Sequence, residues 1–264
     1  MSDTFCRRRP SCAAGGEVWP RNARDQVQRR FLMYFEPGKT PHNLPYDPFK
    51  SCVVPRPIGW ISTTSSAGVD NLAPFSQFQN ITFDPPIVMF SANQRSEGGQ
   101  KDSALNAGET GEFVWNMATY DLREAVNISS EEFGRDIDEF ERAGLTKAPS
   151  RLVRPPRVAE SPIQFECVHL HTTRIPGEGP IGTVDVVFGK VVAIHIKDEA
   201  LTEGRVDIAR IRPLARLGYY EYTYVDKVFT LPPPGGGSTA LSAGLEGSAS
   251  RIRSVVGTEP GAAE

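Results

Sequence analysis

Residues 58–91 limit the fold more than any other part of the chain, because they run as β-branched and aromatic segments with strong punctuation. Residues 58–64 alternate and are rich in strand-favouring side chains, and residues 65–71 supply a glycine-bearing turn. Residues 72–83 read as a second strand. It is stopped by Asp84, Pro85 and Pro86, where two prolines deny the backbone both a helical turn and ladder donors. Residues 87–91 predict a third, apolar strand. Residues 101–109 have the pattern of a short helix, with Asp102 or Ser103 near its start and Gly111 past its end. A fourth strand is expected over 112–119, then helices around 121–126 and 137–143, the second closed by Gly144. Long strands over 162–174 and 182–197 come next, and a turn-rich segment ends in residues 214–223. Many short strands with few helices favour a β-barrel over a parallel βαβ sheet.

The chain has 264 residues, which suits one domain of roughly 200 residues with tails. Residues 1–32 carry seven arginines against three acids and show no apolar periodicity, so they predict a disordered extension upstream of a start near Met33. Residues 232–264 are small and polar, and such a composition buries too little surface to offset the entropy of ordering. The expected folded domain is therefore 33–231. A formal net charge of -3 argues against sequence-independent nucleic-acid binding, which needs a basic surface. Cys6, Cys12, Cys52 and Cys167 form no C-x-x-C pair, so neither a zinc knuckle nor a disulfide framework is indicated. No apolar run reaches the about 18 residues of a membrane span, and the expected compartment is the cytoplasm.

Gly177, Gly179 and Gly182 spell G-x-G-x-x-G, but strand pattern continues beyond them where a dinucleotide fingerprint needs a helix. They read as a glycine-rich hairpin joint. His169 and His171 fall on one face of a strand, without a third ligand at sensible spacing, and no metal is expected. The acid-rich stretch 131–141 reads as a solvated face.

One constellation is richer. Ser62, Thr63 and Thr64 lie on one strand, Asn71, Ser76 and Asn80 on the next, and Ser91 ends the third. A polar, glycine-rich loop then enters Lys101, Asp102 and Ser103 at a helix start, where unpaired N–H groups and partial positive charge favour a phosphate. Trp60 or Phe75 offers aromatic surface to a flat heterocycle. A polar barrel mouth with an ordinary capped helix is the competing reading of the same residues.

The run PRPIGWISTTSSAGVDNLAPFSQFQNITFDPPIVMFS from Pro55 resembles the flavin reductase-like domain, in its flavoredoxin branch. KDSALN, TGEFVWNM, DEFERAGLT, PPRVAESPIQFEC, FGKVVAIHI and RPLARLG come after it in the same order, and the resemblance covers about residues 33–225. It implies a split β-barrel, usually a homodimer, that binds FMN (FAD being the alternative) and takes hydride from NADH or NADPH. It also implies a monooxygenase partner that receives reduced flavin. A flavoredoxin-like electron carrier and a non-catalytic ligand-binding split barrel remain as alternatives. The implied phosphate site is Lys101 and Ser103, with the ring system along Trp60, Asn71, Ala73, Phe75 and Asn80. The chain departs from related reductases at Val186, where they often carry histidine, and at Tyr219, where glycine is common. His195 is the weak candidate for the nicotinamide side.

Overall fold

The computed structural model describes residues 33–179 and 181–231, so the expectations for 1–32 and 232–264 lie outside the described residues. The chain divides by its contacts after Pro48. In the first unit, Glu36 accepts a hydrogen bond from the Tyr34 hydroxyl at 2.9 Å, and Phe35 meets the edge of His42 at 5.4 Å.

The second unit is mainly β. In chain order its strands are β1 (Arg56–Pro57), β2 (Gly59–Thr64), β3 (Asp70–Phe75), β4 (Phe78–Phe83), β5 (Pro86–Asn93) and β6 (Glu112–Asn116). Then come β7 (Lys147–Ala148), β8 (Arg157–Val158), β9 (Ile163–Ile175), β10 (Val184–Ile196), β11 (Leu201–Thr202), β12 (Arg205–Val206), β13 (Leu214–Arg216) and β14 (Tyr222–Tyr224). The helices are α1 (Asp102–Thr110), α2 (Arg123–Ile128), α3 (Glu139–Arg142) and α4 (Ile208–Ile211). Among the described residues, no helix is long and apolar enough to cross a membrane.

Seven strands form one antiparallel sheet in the order β3-β2-β6-β9-β10-β5-β4. Its two edge strands are consecutive in sequence, joined only by Ser76 and Gln77. A flat sheet would hold those edges roughly 29 Å apart at about 4.8 Å per strand. Two residues between strand ends reach about 11 Å. The sheet therefore curls until its edges meet, which makes a barrel, and the Ser91 amide bonds the Gln77 carbonyl at 2.9 Å, carrying the β4–β5 ladder into the link. This corrects the expectation of one strand over 72–83. The break carries neither glycine nor proline, and it is tertiary closure that bends the chain there. The fourth strand is also shorter than expected, because Met117 to Thr119 leave the sheet and Thr119 bridges to Pro213.

The barrel interior is packed by Ile61, Phe90, Phe113, Cys167 and Val187, all without exposed surface. Trp115 lies between Phe78, stacked at 5.3 Å, and Phe165 at 4.6 Å. Gly189 permits a close crossing, since a Cβ there would fall 2.3 Å from the Phe113 ring. A second cluster, with Trp60, Leu72, Val126, Phe140, Val158 and Leu214, packs helices and loops against the outside of β2 and β3.

Buried polar side chains hold residues 146–161 on the sheet. Asn116 Oδ1 accepts from the Val158 amide at 2.8 Å. Glu166 accepts from the amides of Arg151 and Leu152, at 2.8 and 2.6 Å, and from His195 Nε2 at 2.6 Å. Burial alone would raise the Glu166 carboxyl, but those two amides and His195 hold it below the usual range.

The glycine-rich joint is a hairpin connection, since β9 and β10 pair antiparallel from Val184 opposite Ile175. In β9, a register shift falls between His169 and His171. His169 Nε2 lies 2.9 Å from Thr172 Oγ1, whereas His171 stacks on Phe188 at 4.6 Å.

Candidate functional site

Three segments converge at the barrel edge formed by β3. The first is β3 itself, which contributes Asn71, Ala73, Pro74 and Phe75 to one wall of an open cleft of about 80 Å³. The second is the turn before α1. Gly98 and Gly99 both have left-handed backbone, φ 90° and 89°, which folds residues 95–99 back on themselves. The Arg95 amide bonds the Gly99 carbonyl at 2.9 Å, and this brings the Arg95 guanidinium beside the start of α1. The third is the segment after α2, residues 129–133, which forms the facing wall.

Lys101 is the N-cap of α1 and makes no side-chain capping bond, so the first-turn amides of the helix are left to other partners. Gly111, at φ 77°, ends the helix as its left-handed C-cap. The helix presses on β2 and β3 through short polar bonds. Asn71 Nδ2 donates to Ser103 Oγ at 2.9 Å, and Asn106 Nδ2 donates to Thr63 Oγ1 at 3.1 Å. Two cations and a hydroxyl, Arg95, Lys101 and Ser103, are thus assembled at one end of a cleft whose other end is Ala73, Pro74 and the half-buried Phe75.

Asn71, Ala73, Phe75, Lys101, Asp102 and Ser103 are brought together as expected, all lining this cleft. Trp60 is not with them. It has no exposed surface, sits in the outer core cluster and donates from Nε1 to Ser129 Oγ at 2.9 Å, so its ring faces no ligand. Ser62 and Thr63 are also fully buried, and Ser62 Oγ donates to the Pro156 carbonyl at 2.6 Å. Thr64 Oγ1 donates to Asp70 Oδ1 at 2.7 Å. These hydroxyls hold the fold together. Their alternation in sequence was right, but Ser62 is covered by the segment around Pro156 and Thr63 by α1, so this strand offers no open mouth. Asn80 is exposed on β4, where it accepts from Gln79 Nε2 at 2.8 Å. Ser76 and Ser91 lie at the barrel junction, outside the cleft lining. His195 lies in a separate depression with Arg151, Arg157, Gln164 and Lys197, bonded to Glu166. Val186 is opposite Ser91 on β10, and Tyr219 adopts φ 53°, the left-handed conformation for which glycine is suited.

Sequence reasoning missed Arg95, Glu132 and Glu139. The acid-rich stretch is not simply a solvated face. Glu132 pairs with Lys101 Nζ at 2.9 Å, and Glu139 is buried in the cleft wall, its Oε2 accepting from the Leu72 amide at 2.9 Å. The usable signal was N-capping by Asp138, which accepts from the Phe140 amide at 2.9 Å and so turns the first residues of α3 inward.

Burial pushes the Glu139 carboxyl up to about 7, against the Leu72 amide, with Asp138 and Asp102 adding to the rise. The folded state thus binds this proton more tightly than the unfolded chain does, whose carboxyl titrates near the ordinary 4.5. Below that value Glu139 costs nothing; from there up to about 7 the unfolded chain gives up its proton while the fold keeps its own, so stability falls across that window and levels off above it. Glu139→Gln keeps the acceptor for Leu72. It should match the wild type near pH 4 and exceed it near pH 8 by at most about 3 kcal/mol, read as urea midpoints across pH.

With this geometry in place, the comparisons with known proteins bear on it. The model of the flavin reductase like domain matches residues 51–226. The chain belongs to the flavin reductase-like family. An uncharacterized protein of Aquifex aeolicus is 40% identical over 171 residues, spanning 64% of this chain and 84% of the other. Nitrilotriacetate monooxygenase component B from Bacillus cereus is a structural neighbour with TM-score 0.70 and 27% identity, covering 76% of this chain and 98% of the neighbour. A split barrel domain protein from Shewanella frigidimarina has TM-score 0.61 at 23% identity, over 70% and 89% of the two chains. The fold of this family member is a split β-barrel, and its cleft lies at the edge where the barrel closes.

Proposed function

We propose that the protein binds FMN in the cleft beside β3 and α1 and reduces it with NADH or NADPH. The observation that carries this reading is the meeting of Arg95, Lys101 and the Ser103 hydroxyl at the start of α1, next to the apolar end of β3. A phosphate is held best by charge-assisted bonds from such a cluster and by a helix N-terminus. Arg95, Lys101 and Ser103 would hold the phosphate, and Asn71, Ala73 and Phe75 would border the ring system. Bound there, FMN supplies two-electron transfer chemistry that no side chain provides. The protein's part is to orient and shield. Phe75 and Phe133 are half-buried on opposite walls, and Asn71 is fixed by its bond to Ser103.

Likeness to the nitrilotriacetate monooxygenase component supports a further step, delivery of reduced flavin to a separate monooxygenase. Ile81 and Phe83 on β4, with Ile194 and Ile196 on β10, are exposed apolar side chains that support a homodimer, since such surface favours a partner. A flavoredoxin-like electron carrier, with tightly held FMN, is the second reading. Two observations favour it: His195 stands outside the cleft, and Val186 stands where related reductases often carry histidine.

Anaerobic mixing of NADH or NADPH with the FMN-loaded protein separates the readings. Bleaching of the flavin absorbance within minutes is the expected result. Bound flavin that stays oxidised favours the carrier, and a protein that takes up no FMN leaves only a split barrel for some other ligand.

A further inference from the structure

We propose that the Glu132 carboxylate is a built-in occupant of the anion site, which an incoming phosphate must displace. This inference rests on the reading that the cleft takes FMN, and it concerns what governs entry and exit.

Glu132 is held as a bound anion would be. Lys101 Nζ lies 2.9 Å from its Oε2, and Arg95 Nε lies 3.5 Å from its Oε1. The Ser96 amide donates to Oε1 at 3.1 Å, and Ser96 Oγ donates to the same oxygen at 3.2 Å. Three hydrogen-bond donors, with the Arg95 guanidinium at ion-pair distance, therefore converge on one carboxylate. The Lys101 ammonium, together with both Ser96 donors, holds the Glu132 carboxyl below the ordinary range, against its partial burial. It is ionised.

The charge balance points the same way. With Glu132 seated, Asp102, Glu131 and Glu132 line the cleft against Arg95 and Lys101, and Arg135 is taken up by Asp102 at 3.0 Å. Arg95 is further committed to Asp102 Oδ2 at 2.5 Å. A phosphate added to this arrangement would meet like charge without a free cation. Once Glu132 withdraws, Lys101, the Arg95 Nε and both Ser96 donors become available to the three acceptor oxygens of a phosphate.

Withdrawal is local. The Glu132 side chain keeps 29% of its surface exposed, so a rotamer change takes it to water. Its backbone need not leave, because the segment is pinned on either side. Ser129 receives the Trp60 indole at 2.9 Å, and the Phe133 carbonyl receives Arg95 Nη2 at 2.7 Å. Solvent-screened ion pairs contribute little, and a dianion making several charge-assisted bonds outcompetes them. Glu132 thus lowers affinity for phosphorylated flavin without closing the site, and it reseats as flavin leaves. Riboflavin lacks the phosphate and gains nothing from the exchange.

Full-length wild type, Glu132→Gln and Glu132→Ala, checked for equal melting temperature, are titrated with FMN and with riboflavin by fluorescence quenching. The expected result is roughly tenfold tighter FMN in both variants, with riboflavin unchanged. FMN affinity that is equal or weaker in the variants, or a gain shared equally by riboflavin, overturns the role of Glu132 while the flavin site stands. No FMN binding by any of the three proteins overturns the flavin reading beneath it.

Discussion

Lys101→Glu is expected to weaken FMN binding by about a hundredfold. The substitution removes a cation from the start of α1 and puts a carboxylate where Lys101 Nζ now lies 2.9 Å from Glu132. A bond from a charged donor is worth about 1.5–3 kcal/mol. The added like charge beside Asp102 and Glu132 brings the loss to about 3 kcal/mol, or roughly two decades in Kd. Lys101 keeps 33% of its side chain exposed, so the fold should lose only the small contribution of a surface ion pair. Lys101→Met, which deletes the cation and adds no charge, should fall between the two. Titration by flavin fluorescence measures both, and an unchanged Kd for the glutamate variant would put the anion elsewhere on the molecule.

Trp60→Ala should destabilise the fold by about 3–5 kcal/mol, as expected for a fully enclosed aromatic side chain. Trp60 has no exposed surface and packs in the cluster that joins α2 and α3 to the outside of the barrel. Its indole also donates to the buried Ser129 hydroxyl, which would lose that partner. For a domain of this size the melting temperature should drop by about 10 °C. Thermal unfolding without flavin is the deciding measurement, because a ligand-stacking tryptophan would leave that temperature alone and change only affinity.

The difference between expectation and structure at Trp60 has a physical cause that recurs across the site. Period-two alternation reports which residues share a face of a strand, and the sequence carried that information faithfully for β2. It does not report what covers the face. In β2, Trp60 and Ser62 share the outer face, which is packed over by helices and loops, while Thr63 meets α1. The hydroxyls expected to meet a ligand instead bond Pro156, Asn106 and Asp70. The extent of α1 was legible because Asp102 in its first turn and Gly111 past its end are local marks of a helix. Arg95 was not, since its position depends on Gly98 and Gly99 reversing the chain. Nor were Glu132 and Glu139. A run of acids looks alike whether it faces water or is folded over a cation. The hairpin at Gly177 to Gly182 was read correctly for the opposite reason: the residues just beyond it are plainly strand.

The two-residue link between β3 and β4 has a consequence for what this scaffold tolerates. In an open sheet a strand can slide by a residue and pass the error to a free margin. Here the two margins of the sheet are tied to each other by the backbone itself, through Ser76 and Gln77, and that stitch has little slack. Lengthening it would loosen the corner where β3 hands over to β4, and β3 is the strand that borders the cleft. Extra residues between β9 and β10 would merely extend a ribbon. That distal tip is therefore the freer place to remodel, and the stitch the tighter one.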